Sequence, residues 1–411
     1  MISLDTKSLF QHVEALKPEM IDTLTQLIRV PAIAPESGGN GEDAKFEVLL
    51  QVLSKVGFDK IEQFDAPDPR VPSGKRLNVV AYLNGKPDAK RLWIVAHLDV
   101  VPSGEESLWK VTQPFEPKVK GGCVYGRGSE DNGQSLVSAV FAAKALKQLD
   151  VKLNRTLALA FVSDEEQGST MGIQHLLGQG IFRKDDLVVV PDHGTPKGDF
   201  IEIAEKSILW FKLTTIGKQA HGSLPNKGLN AHRIGMQAAL EIDKKLHEKY
   251  DAKNDYFDVP TSTFEPTKKD KNVDAVNIVP GEDTVYFDCR VLPNYNVNEV
   301  LSDIHKVTSG FEKKTGAKIQ LEVLQKQSSP QNLTADSELV VLLNRALKQA
   351  RGFEARVGGV GGGTCAAFFR EKGIPAIVWS TIDEVPHQPD EYARIANMVD
   401  DAKVFAVLAA M

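Results

Sequence analysis

The strongest constraint on the fold of this chain is a set of apolar segments that each end in ionisable residues. Residues 92–96 form a continuous apolar run without the spacing of an amphipathic helix, and His97 and Asp99 follow it. Such runs are typical of strands buried on both faces of a parallel sheet. Because side chains alternate along a strand, His97 and Asp99 are expected on one face, where the carboxylate can orient the imidazole of a metal ligand.

Three more apolar segments have the same arrangement. Functional groups gather at the carboxyl ends of strands in parallel sheets, so the four segments predict one common site. A single His or Asp at a strand end is usually an ordinary loop residue. Clustered carboxylates, however, repel one another unless cations neutralise them, so the whole set favours a metal centre. The segments are 157–162, followed by Glu165 and Glu166; 187–190, followed by Asp192; and 374–380, followed by the loop of His387.

Length and composition limit the class of protein. A chain of 411 residues exceeds one ordinary hydrophobic core, which predicts two domains, or three. The net charge of -6, without a basic stripe rich in aromatics, argues against nucleic-acid binding. The three cysteines lack C-x-x-C spacing, so neither disulfides nor a cysteine zinc site is indicated, and a reducing compartment is expected.

The N-terminal segment and the hydropathy pattern predict where the protein resides. Residues 1–20 contain acids and lysines where a signal peptide would have an apolar core. No segment is long and apolar enough for a membrane span. We therefore expect a cytoplasmic protein without a membrane partner.

The predicted elements change character beyond Asp192. Before it, helical segments alternate with buried strands, and an Ala-rich helix is expected at 135–149. After it, the order is strand, helix, strand, strand, helix, strand, which is the ferredoxin-like arrangement. These later elements are expected at 207–216, 229–247, 262–265, 284–292, 297–313 and 318–324.

Asp131 has two interpretations. It lies in the glycine-containing segment 126–133, directly before the helix at 135–149. Asp is favoured at any helix start, so this residue could be an N-terminal cap. For the residue taken alone the cap is the default, and the alternative is a carboxylate that bridges two metal ions. The glycines around it indicate a constrained turn.

Taken together, the motifs resemble those of the di-zinc peptidases and deacylases. That family includes acetylornithine deacetylase, succinyl-diaminopimelate desuccinylase, aminoacylase, carnosinase and bacterial glutamate carboxypeptidases. The resemblance covers nearly the whole chain, and the motifs follow the order of the family. They are AHLDVVP at 96–102, Trp109, GRG at 126–128, Asp131, DEEQGS at 164–169, AHGSLP at 220–225, Asn230 with Ala231, RVLP at 290–293, and His387.

The resemblance implies a fold class and a domain arrangement. The expected fold is α/β, with a mostly parallel-sheet catalytic domain and an inserted ferredoxin-like α+β domain that acts as lid and dimerisation domain. Residues 1–206 and 327–411 would form the two parts of the catalytic domain, and residues 207–326 the insertion. A homodimer is the implied assembly.

The resemblance also implies a ligand set for two divalent ions. One ion would be held by His97 and Asp192, the other by Glu166 and His387, with Asp131 bridging the two. Imidazole and carboxylate ligands suit zinc, with cobalt or manganese as possible substitutes. His193, next to Asp192, is an alternative ligand that the spacing leaves open.

Three further residues receive catalytic roles from the resemblance. Glu165 would be the general base that takes a proton from a water activated between the ions, and Asp99 would support His97. His221 would reach the active site of the partner subunit and stabilise the oxyanion. A non-catalytic metal-binding scaffold is disfavoured because Glu165 is present.

The remaining candidate residues concern substrate binding. Arg290 could grip a substrate carboxylate in bidentate fashion, although a surface ion pair is the common role of such an Arg. Asn277 is a candidate for polar contacts nearby. The glycine-rich run that includes Gly362, Gly363 and Thr364 lacks the Lys of a phosphate-binding loop, so it is expected to offer backbone N–H groups to a carboxylate.

The expected activity is metal-dependent hydrolysis of the amide bond in small N-acyl amino acids. The alternative is a di- or carboxypeptidase that acts on short peptides with a free carboxylate. Two departures from the family concern the substrate rather than the metals. Asn132, Gly133 and Gln134 stand where many relatives have Lys-Gly, and Cys365 stands where many deacylases have Asp.

Overall fold

The computed structural model describes residues 5–331 and 333–411, which form two compact units. Among these residues, the first unit comprises 5–203, 333–357 and 364–411, and the second comprises 204–331 and 358–363. Residues 1–4, which begin the N-terminal segment where no signal peptide is expected, lie outside the described residues. Residue 332, which belongs to the expected segment 327–411, also lies outside them. In the described part of the chain, no helix combines the length and apolar character needed to cross a membrane.

Ten α-helices lie in the described residues. Two helices rather than one occupy the N-terminal segment, because Pro18 favours the start of a second helix just after Leu16. The helices are α1 Thr6–Ala15, α2 Lys17–Ile28, α3 Asp43–Val56, α4 Ser135–Gln148, α5 Ile173–Gly178, α6 Ala231–Lys249, α7 Val297–Thr315, α8 Glu338–Arg351, α9 Ala366–Glu371 and α10 Ile395–Ala410.

The strands range from two-residue pairs to ten-residue strands. They are β1 Lys60–Gln63, β2 Ala66–Pro67, β3 Lys75–Arg76, β4 Val79–Leu83, β5 Leu92–His97, β6 Lys118–Lys120, β7 Cys123–Tyr125, β8 Leu157–Val162, β9 Leu187–Val190, β10 Phe200–Glu205, β11 Ser207–Ile216, β12 Ala220–His221, β13 Thr263–Lys269, β14 Ile278–Val279, β15 Glu282–Val291, β16 Lys318–Gln327, β17 Arg356–Val360, β18 Ala376–Val378 and β19 Tyr392–Arg394.

The main sheet of the first unit has the strand order β1-β4-β8-β5-β9-β18-β10-β17. Its four central strands, β8, β5, β9 and β18, are mutually parallel, as the continuous apolar runs predict. The pairs β1–β4, β4–β8 and β10–β18 are antiparallel, so the parallel character belongs to the centre of the sheet. The carboxyl ends of the four central strands therefore lie at the same edge.

Both faces of this sheet are covered, which explains the lack of polar alternation in its strands. Trp93 and Val95 of β5 pack in a buried cluster with Phe369 of α9 and Leu176 of α5. On the other side, α4 contacts β5 and β8, and α10 packs against α4 and α8. Every residue of β5 and β8 is buried as a result.

The second unit has the predicted ferredoxin-like arrangement. A four-stranded antiparallel sheet of order β13-β15-β11-β16 carries α6 and α7 on one face. Alternate residues of β11, such as Leu209, Phe211 and Leu213, enter the core that these helices cover. Between the larger elements, β12 and β14 form a separate two-stranded ribbon. The predicted α/β fold class with an inserted ferredoxin-like domain is therefore confirmed.

Candidate metal centre

The four predicted strand ends bring their polar residues together. His97 is the last residue of β5, the pair Glu165 and Glu166 follows β8, and Asp192 follows β9. The loop after β18 supplies His387, whose φ of +63° is left-handed. Because these four strands are adjacent and parallel, side chains that are far apart in sequence meet at one edge of the sheet.

Asp131 lies between the two histidines. Its Oδ1 atom is 2.8 Å from Nε2 of His97, and its Oδ2 atom is 3.1 Å from Nε2 of His387. The backbone of Asp131 is not helical, and α4 begins four residues later, at Ser135. The interpretation of Asp131 as a helix cap is therefore wrong. Its carboxylate faces the two histidines instead.

Each histidine is also close to a second carboxylate. Nε2 of His97 is 3.3 Å from Oδ1 of Asp192, and Nε2 of His387 is 3.1 Å from Oε1 of Glu166. The chain thus forms two clusters of one imidazole and one carboxylate each, with Asp131 shared between them. The donors are nitrogen and carboxylate oxygen, which fit zinc, cobalt and manganese.

The spacing of possible ligand atoms defines two groups of residues, and both groups contain His97. Within 4.8 Å of one another lie donor atoms of His97, Asp131 and Glu166, and likewise donor atoms of His97, Glu165 and Asp192. His193 is in neither group, and its backbone carbonyl accepts a hydrogen bond from Ser380. These contacts favour Asp192 over His193 as the ligand, as the resemblance does.

Asp99 contacts both His97, at the end of β5, and the turn that carries Glu165 and Glu166. Nδ1 of His97 is 3.0 Å from the backbone carbonyl of Asp99 and 3.5 Å from its Oδ1. The two carboxylate oxygens accept the backbone N–H groups of Glu165 and Glu166, each at 3.0 Å. Asp99 therefore orients the imidazole mainly by its main chain and the glutamate turn by its side chain.

The cluster has an excess of negative charge, which shapes its titration. Burial opposes charge on His97, but its contacts with Asp131 and Asp192 raise the His97 pKa well above the ordinary value. Contacts with Asp131 and Glu166 raise the pKa of His387 to about 10. Burial alone would raise the pKa of Asp131, yet the two imidazoles hold it below its usual range. The carboxylates thus attract positive charge to the position between the histidines.

The two glutamates after β8 differ from ordinary surface acids. Burial raises the pKa of Glu165 well above its usual range, and the nearby Asp192 carboxylate adds to the effect. Burial also raises the pKa of Glu166, although the contact with His387 opposes this. Neither glutamate is therefore an ordinary solvent-exposed acid.

Several residues that hold the site in place have no signal in the sequence. Asn132 donates from Nδ2 to Oδ1 of Asp192 at 2.8 Å and to the carbonyl of Pro191 at 2.9 Å. It thereby fixes a ligand carboxylate from a position that departs from the family pattern. Two buried acids, Glu130 and Glu391, accept backbone N–H groups from the segments that carry His387 and Asp131. Acceptors of main-chain donors follow no sequence periodicity, so pattern analysis does not find them.

His221 and Asn277 lie together in the second unit. His221 is in β12, which pairs with β14, and the N–H of Gly222 donates to the carbonyl of Asn277 at 2.6 Å. A Cβ atom on Gly222 would come within 2.9 Å of that carbonyl oxygen, so glycine permits the close approach. The side chain of His221 is exposed, and its Nδ1 accepts the N–H of Ser223 at 3.2 Å.

Arg290 lies elsewhere in the second unit and already has an anionic partner. Its guanidinium makes a bidentate contact with Asp288, at 2.7 and 3.0 Å, and donates to the carbonyl of Gly361 at 2.9 Å. The expected ion-pair role therefore describes this structure. Arg290 also lines a cavity of about 270 Å³ together with Lys206, Phe257 and Gly361.

The glycine-rich run is split between the two units. Gly362 and Gly363 belong to the second unit, and Thr364 belongs to the first. A Cβ atom on Gly362 would meet nothing within 4 Å, so its main chain is open to approach. Thr364 accepts the N–H of Ala366 on Oγ1 at 3.1 Å and so leads into α9.

Comparisons with known proteins agree with this centre. Residues 93–411 match the model of peptidase family M20/M25/M40. Over 94% of its length the chain is 40% identical to an uncharacterized metallohydrolase of Methanocaldococcus jannaschii, 98% of which is covered. It is 26% identical to a succinyl-diaminopimelate desuccinylase of Roseobacter denitrificans, with coverage of 92% and 95%. The solved aminopeptidase PepT of Bacillus cereus matches with a TM-score of 0.75 at 18% identity, over 96% of this chain and 98% of that one.

These matches cover the segments from which the resemblance was inferred, including every strand end of the metal centre. The predicted family and the prediction of a hydrolytic enzyme are confirmed. The chain belongs to peptidase family M20/M25/M40 and is a metallohydrolase.

Proposed function

We propose that this protein hydrolyses the amide bond of small N-acyl amino acids with the help of two divalent ions, most suitably zinc. The observation that carries the proposal is the position of Asp131, whose two oxygens face Nε2 of His97 at 2.8 Å and Nε2 of His387 at 3.1 Å. A carboxylate with one oxygen directed to each of two imidazoles is the arrangement expected of a bridging ligand.

The proposed ligands follow from the contacts of each histidine. His97 and Asp192 would hold one ion, His387 and Glu166 the other, and Asp131 both. Two bound cations polarise a scissile carbonyl and lower the pKa of the attacking water. The raised pKa values of the two imidazoles indicate that the surrounding carboxylates stabilise positive charge at this position.

Glu165 is the proposed general base. Its backbone N–H is held by Asp99, and its carboxylate lies in a group of donor atoms with His97 and Asp192. In this position Oε1 or Oε2 takes a proton from the attacking water and returns it to the leaving nitrogen. Glu166, one residue later, is directed to His387 instead, so the two adjacent acids have separate tasks.

His221 is the proposed donor to the tetrahedral oxyanion. Nδ1 contacts Ser223, at 2.8 Å from Oγ and 3.2 Å from the backbone nitrogen, so Nε2 is the ring nitrogen left to serve as the N–H donor. The resemblance implies that this donor serves the site of the partner subunit in a homodimer. Exposure of the His221 side chain is compatible with such a role.

Substrate carboxylate binding is assigned to the second unit. Arg290 and Lys206 place two cationic groups around one cavity. The main chain at Gly362 is open, and its N–H group, with that of Gly363, would be offered to the carboxylate. Asn277, beside His221, would add a polar contact. To bind a carboxylate with both guanidinium edges, Arg290 would exchange its contact with Asp288 for the substrate.

A hydrolysis panel separates the deacylase proposal from the peptidase alternative. Metal-loaded protein would be assayed on acetylated and succinylated amino acids and on dipeptides, with Glu165→Gln as the matched control for contaminating activity. The proposal expects cleavage of N-acyl amino acids above that of dipeptides, and none by the control. Preference for peptides with a free carboxylate would favour a di- or carboxypeptidase. Activity that persists in Glu165→Gln would come from a contaminant or from a mechanism that does not use Glu165.

A further inference from the structure

Glu391 is a buried acid that holds the backbone next to Asp131. It follows the His387 loop and directly precedes β19. Its Oε1 atom accepts the N–H groups of Glu130 at 3.0 Å and of Asp131 at 3.2 Å. Its Oε2 atom accepts from Nη1 of Arg127 at 2.7 Å and from the N–H of Gly128 at 3.1 Å. One carboxylate therefore fixes the whole turn from which Asp131 projects.

Glu130 makes the converse connection. It is the neighbour of Asp131, yet its side chain reaches the loop that leads to His387. There its Oε1 atom accepts the N–H of Asp383 at 2.6 Å, and its Oε2 atom accepts the N–H of Val385 at 2.8 Å. Both carboxylates are almost completely buried, at 2% for Glu130 and 0% for Glu391, so water does not compete for these bonds.

We infer that Glu130 and Glu391 form a reciprocal clamp that sets the distance between Asp131 and His387 and so determines the affinity for metal ions. Each acid lies on the segment of one ligand and holds the segment of the other. The clamp matters because His387 has a left-handed backbone and lies in a loop rather than on a strand. This inference rests on the proposed metal centre, and both acids are positioning residues that do not touch the ions.

The two halves of the clamp have distinguishable effects. Glu391 fixes Asp131, which is shared by both ions, so its loss should weaken both binding steps. Glu130 fixes the His387 loop, so its loss should weaken only the ion held by His387 and Glu166. Neutralising a partner of this kind costs about 10- to 100-fold in metal affinity.

Asp186→Asn is the matched control. Asp186 is also fully buried, and it accepts the N–H of Arg183 at 2.9 Å and Nε1–H of Trp93 at 2.8 Å. It lies immediately before β9, whereas Asp192 follows the other end of that strand. Its substitution should lower the stability of the fold without changing metal affinity.

The experiment titrates chelator-treated full-length protein with Zn²⁺ by calorimetry and with Co²⁺ by visible absorption, and records melting temperatures in chelator. Wild type, Glu130→Gln, Glu391→Gln, Glu391→Asp and Asp186→Asn would be compared. Glu391→Asp keeps the charge but withdraws it by one methylene, so it serves if Glu391→Gln does not fold. We expect Glu391→Gln and Glu391→Asp to weaken both binding steps, Glu130→Gln to weaken one, and each to alter the Co²⁺ spectrum.

Two other results are decisive. If the glutamate variants melt earlier but bind Zn²⁺ with wild-type affinity and an unchanged Co²⁺ spectrum, as Asp186→Asn should, the acids are only structural and the clamp is refuted. If the wild-type protein itself binds no ion, the proposed metal centre is refuted, and the inference falls with it.

Discussion

Oδ1 of Asp99 accepts the backbone N–H of Glu165 at 3.0 Å, and this bond joins the end of one central strand to the turn that follows its neighbour. Asp99 was predicted as the support of His97, and its main-chain carbonyl has that position. Its carboxylate, however, accepts backbone N–H groups of the turn that carries Glu165, the proposed base. The positions of the proposed ligand His97 and of the proposed base Glu165 therefore both depend on Asp99, through its main chain and its side chain respectively.

Asp99→Asn tests this dual contact. An asparagine has one side-chain acceptor, so its NH₂ group would face the N–H of Glu165 or of Glu166. Loss of such an outer contact costs about 10- to 100-fold in metal affinity or activity. We expect kcat/KM of the metal-loaded variant to fall by that order, measured beside Asp186→Asn. Unchanged kinetics and metal content would show that the contact is dispensable.

Glu165→Gln and Glu166→Gln should separate base from ligand. Glu165→Gln should retain both ions, because the amide keeps the shape of the side chain, yet lose on the order of 10²-fold or more in kcat with its proton acceptor. Glu166→Gln should weaken metal binding, because its oxygen lies 3.1 Å from Nε2 of His387. Elemental analysis and steady-state kinetics on both variants provide the comparison. Wild-type kcat in fully loaded Glu165→Gln would remove Glu165 from the mechanism.

A mixed dimer tests the role of His221. If His221 serves the partner's site, a heterodimer of His221→Ala with Glu165→Ala contains one site with both residues intact. Loss of an oxyanion donor costs about 10²- to 10³-fold in rate, so each parent homodimer should be nearly inactive. Co-expression with two tags and isolation of the mixed species should restore about half of the wild-type activity per dimer. A fully loaded but inactive heterodimer would contradict delivery between subunits.

Asp401 should make the fold more stable in acid than in base. Burial raises its pKa to about 7, although Thr381 donates to it through its N–H and its hydroxyl. Between the unfolded pKa of about 3.9 and the folded value, only the folded state keeps the proton. The contribution of Asp401 to the free energy of unfolding is therefore complete below about pH 4. It is lost as the pH rises to about 7, by at most about 1.4 kcal/mol per pH unit.

Melting temperatures at pH 5 and pH 8 measure this contribution. Asp401→Asn cannot ionise, so its melting temperature relative to wild type should rise between pH 5 and pH 8. Asp400→Asn, on the same helix but paired with Lys403 at the surface, is the control and should show no such trend. Parallel pH curves for wild type and Asp401→Asn would exclude Asp401 as the source.

The centre of the fold could be predicted because its strands are buried on both faces. Long apolar runs without polar alternation have few alternatives, and their parallel pairing brings their ends together. Residues 207–216 were predicted as one strand, and β11 has these bounds, with buried residues that alternate from Leu209 onward. The ligand-bearing strand ends could be recognised for the same reason.

Element ends were less predictable, and the causes are local. The helix predicted from residue 229 starts at Ala231, because the side chain of Asn230 caps it by accepting the N–H of Arg233. The strand predicted at 262–265 extends to Lys269, since β13 is an edge strand and continues past Pro266 through a shift in register. The apolar pattern of the sequence indicates neither the cap nor the shift in register.

Residues that act through backbone contacts were missed altogether. Asn132 was noted only as a departure from the family, and Glu130 and Glu391 received no role. Most of their partners are main-chain N–H and carbonyl groups, which nearly every residue carries, so the sequence does not identify them. Such contacts become visible only when the chain is folded.

If Asp131 bridges two ions, the number of metal ions bound per chain depends on its carboxylate. Wild-type protein and Asp131→Asn would be purified without chelator, loaded with Zn²⁺ or Co²⁺, desalted and measured by elemental analysis. We expect about two ions per chain in the wild type, as two-metal hydrolases require, and a marked loss of both in Asp131→Asn. A wild-type protein that takes up neither metal, or an Asp131→Asn variant that keeps both ions, would contradict it.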